Sequence, residues 1–345
     1  MSKDTTDRFY GAWWGAFLGD AIGMPAHGYL SQKLLQADYG TLSDFAPAKN
    51  PHPESVLYTL PQPELPPEFD YLGPKRRELW SRRGTHFHYG LEAGENTLPL
   101  YLALHLAASI ADAGKFDIEN WMGRYEAIMT TPNAHTDTFI PSIHRRYFEN
   151  RAAGKKPEQN GCPDAHMGDV AMFMPLMFAA VANPDKSQMD LYRALKKFTL
   201  GESASTSAFF LAEVLANIIR GSSIEDTLYV KMTPDRHFSL AFPLRRWAAK
   251  DDSHALSQTG KLAPLEESMP LTMYMAVKYG GDIKKALFGN ANIGGESTGR
   301  GAMIGMLIGA QTGFSGLPQD LVGRLKYAGE IQALGEMLFQ NLKNI

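Results

Sequence analysis

Gly11-Ala12-Trp13-Trp14-Gly15-Ala16-Phe17-Leu18-Gly19-Asp20-Ala21-Ile22-Gly23 and Gly301-Ala302-Met303-Ile304-Gly305-Met306-Leu307-Ile308-Gly309-Ala310-Gln311-Thr312-Gly313 decide how this chain folds. Each stretch carries a glycine at every fourth position of otherwise apolar sequence, so the glycines form one bare stripe along a helix. Glycine in a helix interior costs about 0.5–1 kcal/mol relative to alanine, and four in register need a compensating reason. The reason available is close approach, because a stripe without side chains lets another helix backbone pack tightly. In a bilayer such stripes pair membrane spans. Asp20, Arg300 and Gln311, and the short apolar lengths, oppose that reading. The stripes therefore predict two central helices, one near each end of the chain, packed in the middle of a single α-domain.

Outward from these stripes the helical period persists. Leu98, Leu102, Leu106 and Ile110, with Leu100 and Leu104 beside them, predict a helix that is apolar nearly all round and hence buried. Ala204 to Arg220, Leu271 to Tyr279 and Leu321 to Leu342 also read as helices, and few runs alternate with the period of a strand. The expected class is all-α, as one domain over residues 1–345. Within it, eight prolines between Pro47 and Pro74 break the helical texture. Proline fixes φ and removes a donor, so residues 41–90 are expected to form a long extended insertion over that domain.

Composition excludes several functions. With 345 residues, 44% of them apolar, the chain can bury a large core. Its 34 basic and 37 acidic side chains leave a formal charge of −3, without the basic excess that a nucleic-acid backbone demands. The single cysteine, Cys162, rules out a disulfide framework and fits a reducing, cytoplasmic setting. The polar start Met1 to Arg8 lacks a signal-peptide pattern, and no stretch is long and apolar enough for a membrane span.

Polar clusters stand at the helix ends: Gly94-Glu95-Asn96-Thr97 before the Leu98 helix, Asn292 to Gly299 before the second stripe, and Asp20 to His27 after the first. Capping alone explains each one singly, since Asn, Ser and Thr satisfy free N–H groups and a glutamate suits the positive helix end.

Taken together, the clusters resemble the ADP-ribosylglycohydrolase family, which includes the dinitrogenase reductase-activating glycohydrolases. Gly15 to Pro25 is similar to the family's opening motif. Glu95-Asn96-Thr97 falls where members carry Thr-Asp-Asp-Thr. Thr138 to Lys155 and Gly168 to Leu176 resemble two mid-chain segments. Glu267 to Leu271, Gly281-Asp282, Ala286 and Asn292 to Gly313 resemble the C-terminal signature. The resemblance spans nearly the whole chain in order and implies a single-domain orthogonal helical bundle, with a site where core helix ends converge.

It also implies two magnesium or manganese ions, held in relatives by Thr-Asp-Asp and Asp-x-Asp-Thr. Here those stretches read Gly94-Glu95-Asn96 and Glu296-Ser297-Thr298-Gly299, two carboxylates and two glycines among them, and hard cations need more oxygen ligands than that. His27 stands where members often have a glutamate, and Met167, Ala171 and Met172 replace the mid-chain Asn and Met-Arg. No cofactor is expected beyond at most one weakly bound Mg or Mn ion. A carboxylate pair is what glycosidic cleavage commonly uses. Glu95, Glu296 and His27 are therefore expected to be catalytic, and Asn96, Thr298, Asp169, Asp20 and His88 to bind substrate. The expected activity is hydrolysis of a glycosidic bond in an ADP-ribosyl, nucleoside or related glycosyl small molecule. The alternative is a non-catalytic relative that binds a sugar or nucleotide or serves structurally.

Overall fold

The helix Lys3–Gly23 lies antiparallel against the helix Ser297–Thr312, and their glycine stripes face each other. A methyl group at Gly11, Gly15, Gly19 or Gly23 would fall 2.1, 2.1, 1.9 and 2.1 Å from the carbonyl oxygens of Gly309, Gly305, Gly301 and Ser297. A methyl at Gly301, Gly305 or Gly309 would in return fall 2.3, 1.9 and 2.1 Å from the carbonyls of Gly19, Gly15 and Gly11. Two backbones thus pack directly on each other over four helical turns, with no room for even one methyl between them. The computed structural model describes residues 3–156, 161–163, 165–231 and 242–343.

The remaining helices wrap this pair. In Ser297–Thr312 every residue from Ser297 to Ala310 is buried, so the helix is covered on all sides. Ile283–Ile293, Leu265–Lys278 and Ser203–Ile219 pack upon it, and Ala328–Lys343 packs against Leu98–Ala113. Trp13 is buried within this shell and donates from Nε1 to the Ile331 carbonyl at 2.7 Å, which pins the last helix to the first. Among the described residues there is no strand, only two isolated bridges, Cys162 with Thr199 and His166 with Pro264. The fold is all-α, and none of its described helices is long and apolar enough to cross a membrane.

Two elements differ from the sequence reading. The periodic run expected as one helix from Leu321 to Leu342 is broken into Gln319–Val322 and Ala328–Lys343. Its intervening turn is held by Lys326 N–H donating to the Gly94 carbonyl at 3.0 Å. Gly94 has φ +83°, and a Cβ there would stand 2.6 Å from the Arg324 carbonyl, so only glycine lets the two turns meet. The proline-rich segment, in turn, is not simply extended. It includes short turns at Leu57–Thr59 and Pro67–Phe69 and a helix at Gly73–Ser81, and it buries Leu57, Tyr71, Leu72 and Trp80 in the core.

The stripe contact makes a quantitative prediction. Gly305→Ala gains helix propensity of about 1 kcal/mol, but its methyl meets an immovable backbone carbonyl. A net loss of about 1–3 kcal/mol or more is expected in urea unfolding. Gly123→Ala, on an exposed helix position with nothing within 4 Å, is the control and is expected to gain stability. Equal midpoints for the two variants would refute the packing.

Candidate active site

The first helix ends in a short turn, Met24–Ala26, that delivers His27 beside the start of the Ser297–Thr312 helix. Glu296 occupies the N-cap position there, but its side chain makes no capping bond. It lies instead 3.2 Å from His27 Nε2. Other bonds tie down the helix start: Ser297 donates its hydroxyl to the Gly23 carbonyl at 2.7 Å, and Glu296 N–H donates to the Lys261 carbonyl at 3.0 Å. One turn further, the buried Arg300 guanidinium donates to Asn290 Oδ1 and the Gly294 carbonyl, bracing the loop that carries Glu296.

Behind His27 the contacts continue. His27 Nδ1 is 2.5 Å from His88 Nε2, and His88 Nδ1 is 2.9 Å from Asp137 Oδ1. Asp137 Oδ2 also accepts the Leu98 N–H at 2.8 Å, so a remote carboxylate caps the Leu98–Ala113 helix. A second remote carboxylate does the same. Asp20 accepts the Thr97 N–H at 2.8 Å, the Thr97 hydroxyl at 2.6 Å and the Asn96 amide at 2.9 Å. Thr97, the N-cap residue, makes no capping bond of its own.

His27, His88, Asp169, Glu296 and Thr298 line one cavity together with His166, Phe139 and Thr97. About 20 Å³ of it is open to a water-sized molecule. Phe139 and His166 are only partly buried while the other lining side chains are enclosed, which puts the mouth between these two rings. Asp169 sits in the first turn of Met167–Ala171, where its Oδ2 accepts the His166 N–H at 2.8 Å. Its Oδ1 is buried with no hydrogen-bond partner.

Burial drives the Asp169 carboxyl up to about 6, with the Glu296 charge adding to the rise. Burial acts on Glu296 in the same direction but loses there. The charge and hydrogen bond of His27, then His166 and Arg300, hold its carboxyl at about 2. Two carboxyl groups on one cavity are thus pushed apart. His27 itself is lowered by burial, against the opposing pull of Glu296. The Asp137 carboxyl, although buried, is held below its ordinary value by His88 and the Leu98 N–H.

The structure does not bring every expected residue into this cavity. Glu95 lines a separate small one, with Asn96, Tyr101 and Tyr327. Both of its oxygens are engaged, Oε2 by the Glu92 N–H and Lys326 Nζ at 2.9 and 3.0 Å, Oε1 by Thr136 and Tyr327 hydroxyls at 3.0 and 3.2 Å. It clamps the turn before the last helix, and the expected pairing of Glu95 with Glu296 is not formed. Asn96 and Asp20 likewise face each other behind the Leu98 helix start, outside the cavity. The carboxylate that does share the cavity with Glu296 is Asp169. Asp137, His166 and Phe139 were not expected from the sequence. Only Asp137 left a trace there, as an acid between two threonines, Thr136 and Thr138.

The sequence profile described as ADP-ribosylglycohydrolase matches residues 1–344. The chain belongs to the ADP-ribosylglycohydrolase family. Its fold is shared by a solved structure described as an ADP-ribosylglycohydrolase-related protein complex, at 23% identity and a TM-score of 0.66. That likeness covers 99% of this chain and 100% of the other. No curated protein matches the sequence.

The dinuclear magnesium centre implied by that family does not fit the residues present. Glu95 is saturated by a lysine, two hydroxyls and an N–H, and Asn96, whose Oδ1 is buried with no hydrogen-bond partner, lines the separate Glu95 cavity and not that of Glu296. At Gly299 a Cβ would stand 2.3 Å from the Gly168 nitrogen, so backbone fills the space a ligand hydroxyl needs. Glu296, Asp169 and Thr298 remain, fewer oxygens than two hard cations require. Among the described residues no group of three or more His, Cys, Asp or Glu side chains converges as a metal site.

The raised Asp169 carboxyl also sets a pH dependence of stability. Its folded value, about 6, lies above the ordinary 3.8, so its favourable share is complete below pH 4 and is lost as pH rises through 6. Asp169→Asn removes that penalty while keeping an acceptor for the His166 N–H. The variant is expected to be more stable than wild type by up to about 3 kcal/mol above pH 7, with the gain vanishing near pH 4. Thermal melts at pH 4 and pH 8 measure this, and a gain independent of pH would contradict it.

Proposed function

We propose that this member of the family hydrolyses a glycosidic bond in an ADP-ribosyl, nucleoside or related glycosyl substrate, and does so without a dinuclear metal centre. The observation that carries the reading is the pair Asp169 and Glu296, two enclosed carboxyl groups on one cavity with acidities driven to about 6 and about 2. Such a split assigns roles: a proton donor near neutral pH and a permanent anion. Asp169 protonates the leaving oxygen or nitrogen of the glycosidic bond. As that bond breaks, positive charge spreads over the ring oxygen and anomeric carbon, where Glu296 faces it and activates the attacking water. His27 orients Glu296 through the 3.2 Å contact, and Thr298 offers a hydroxyl to the sugar. A glycosyl ring exceeds the present cavity, so entry requires the Phe139 and His166 side chains to swing aside. At most one weakly held Mg or Mn ion is compatible with the oxygens left over. The small cavity also keeps the second reading alive, a relative that binds a sugar or nucleotide without turning it over.

A screen of ADP-ribosides, nucleosides and aryl glycosides separates the two. Glu296→Gln and Asp169→Asn are each expected to lower kcat by about 10²-fold or more, as loss of a general acid or base does. Glu95→Gln is expected to lose stability while its kcat stays near wild type. Turnover is expected to be indifferent to EDTA. Restoration by magnesium of activity that EDTA abolished would sink the metal-free reading, and a ligand bound equally by all variants without turnover would favour the binding protein.

A further inference from the structure

Another cavity opens between the helix Gly73–Ser81 of the proline-rich segment and the irregular stretch from Asn133 to Thr138. About 110 Å³ of it is open to a water-sized molecule. One water needs about 10–15 Å³ by that measure, so a group several waters in size fits. Lys75, Arg76, Tyr89, Asn133, His135 and Thr138 bring its polar groups, and no acidic side chain lines it. The cavity shares a wall with the candidate active site. His88 and Phe139 line that site, while their chain neighbours Tyr89 and Thr138 line this one, and the Thr138 hydroxyl donates to the Tyr89 carbonyl at 2.7 Å.

Arg76 is fixed before any ligand arrives. Its Nε donates to the Asp137 carbonyl at 2.9 Å and its Nη2 to the His135 carbonyl at 2.7 Å, which leaves Nη1 without a partner among the described residues. The Lys75 ammonium, the Tyr89 hydroxyl and the Asn133 amide are likewise unengaged among them. The acids nearby are already committed. Asp70 pairs with Arg77 at 2.7 Å and accepts the Leu72 and Gly73 N–H groups, and the Asp137 carboxylate serves His88 and the Leu98 N–H. Burial lowers the Arg76 guanidinium below its ordinary value even with the charges of those two acids near it. His135 adds no charge, since burial and then Arg76 hold it at about 3.

We propose that this cavity is an anion site that takes a phosphate group between Lys75 and Arg76. Two cations in a recess without a counter-charge call for an anion, and their kinds narrow it. Arg76 offers a planar N–H edge held in one direction, and Lys75 offers a mobile point charge. Together they suit a dianion that presents oxygens in several directions. The Tyr89 hydroxyl and the Asn133 amide supply further donors around it. A carboxylate, flat and singly charged, would leave part of that set unused. The phosphate is either free or carried by a glycosyl ligand whose sugar reaches the neighbouring site past Phe139, the half-buried ring at its mouth.

The inference stands apart from the hydrolase reading, and its test needs no turnover. The full ¹⁵N-labelled chain is titrated at low salt with inorganic phosphate, with ribose 5-phosphate and with acetate. Both phosphates are expected to give saturable shifts of amide signals confined to residues 73–90 and 131–139, and acetate to bind about tenfold more weakly. Arg76 braces the stretch it bonds, so the exposed and unpaired Lys75 carries the mutational test. Lys75→Met is expected to lower phosphate affinity about tenfold or more, as loss of a charge-assisted hydrogen bond does. Lys33→Met, on the exposed face of another helix, is expected to change it by less than about twofold, because distant surface charge is screened. Equal weakening by the two variants, shifts that do not saturate, or acetate binding as tightly as phosphate would overturn the proposal. With the anion site established, ribose 5-phosphate binding about tenfold more tightly than phosphate assigns it to a glycosyl ligand, and equal affinities assign it to free phosphate.

Discussion

Everything in this molecule is arranged around one contact, the backbone-to-backbone seam between Lys3–Gly23 and Ser297–Thr312. Because no side chain intervenes, the two helices can approach only at the spacing that glycine permits, and their register is fixed at each of four turns. That register places the ends of both helices. Gly23 lies over the Ser297 carbonyl, so His27 emerges within reach of Glu296. A displacement of the seam by one turn would carry His27 roughly 5 Å along the axis, beyond any hydrogen bond. The glycines far from the chemistry thus determine whether the chemistry can assemble.

The same economy governs the start of the Leu98–Ala113 helix. Its first free N–H groups, those of Thr97 and Leu98, are satisfied by Asp20 from the first helix and by Asp137 from a loop. Each buried carboxylate offsets part of its desolvation with several charge-assisted hydrogen bonds and with the positive helix end. The outcome differs between them. Burial still wins at Asp20 and drives its carboxyl up to about 6, whereas His88 tips the balance at Asp137. Borrowed caps of this kind tie the helix to two other parts of the chain, which a local Ser or Asn cap would not do.

The glycine stripes and the apolar periods made the architecture legible from sequence, because both are local patterns with one physical meaning. The all-α class and the facing central helices followed from them, while the family followed from the resemblance of the motif stretches at the helix ends. The turn at residues 323–327 was hidden, since Leu321 to Leu342 keeps helical spacing across it and only the fit of Gly94 against Arg324 reveals the break. The candidate site was half legible. His27, His88, Asp169, Glu296 and Thr298 do converge. Glu95 stood in a polar cluster of the same kind as Glu296, and nothing in the sequence says that Lys326 and Tyr327 arrive from the far end of the chain to saturate it. Asp137 and His166 lie on irregular segments, where sequence spacing carries no information about direction.

Charge conservation links the departures from the family pattern to one another. Relatives are expected to balance a carboxylate-rich pocket with divalent cations. Replacing carboxylates at Asn96 and Thr298 lowers the negative charge, yet Glu296, Asp169 and Asp137 remain enclosed within a few residues of the same cavity. Isolated buried anions are intolerable at low local dielectric, so hydrogen-bond donors or positive charge have to accompany them. The proline-rich segment supplies some of these neighbours. Residues 41–90 carry His52, His86 and His88, and the two neutral rings, His52 and His86, wedge the others into place through backbone carbonyls. His88 then reaches both His27 and Asp137. The proline-rich segment thus completes the surroundings of one retained carboxylate, Asp137, while Glu296 keeps His27 and Asp169 keeps the His166 N–H as partners from other parts of the chain.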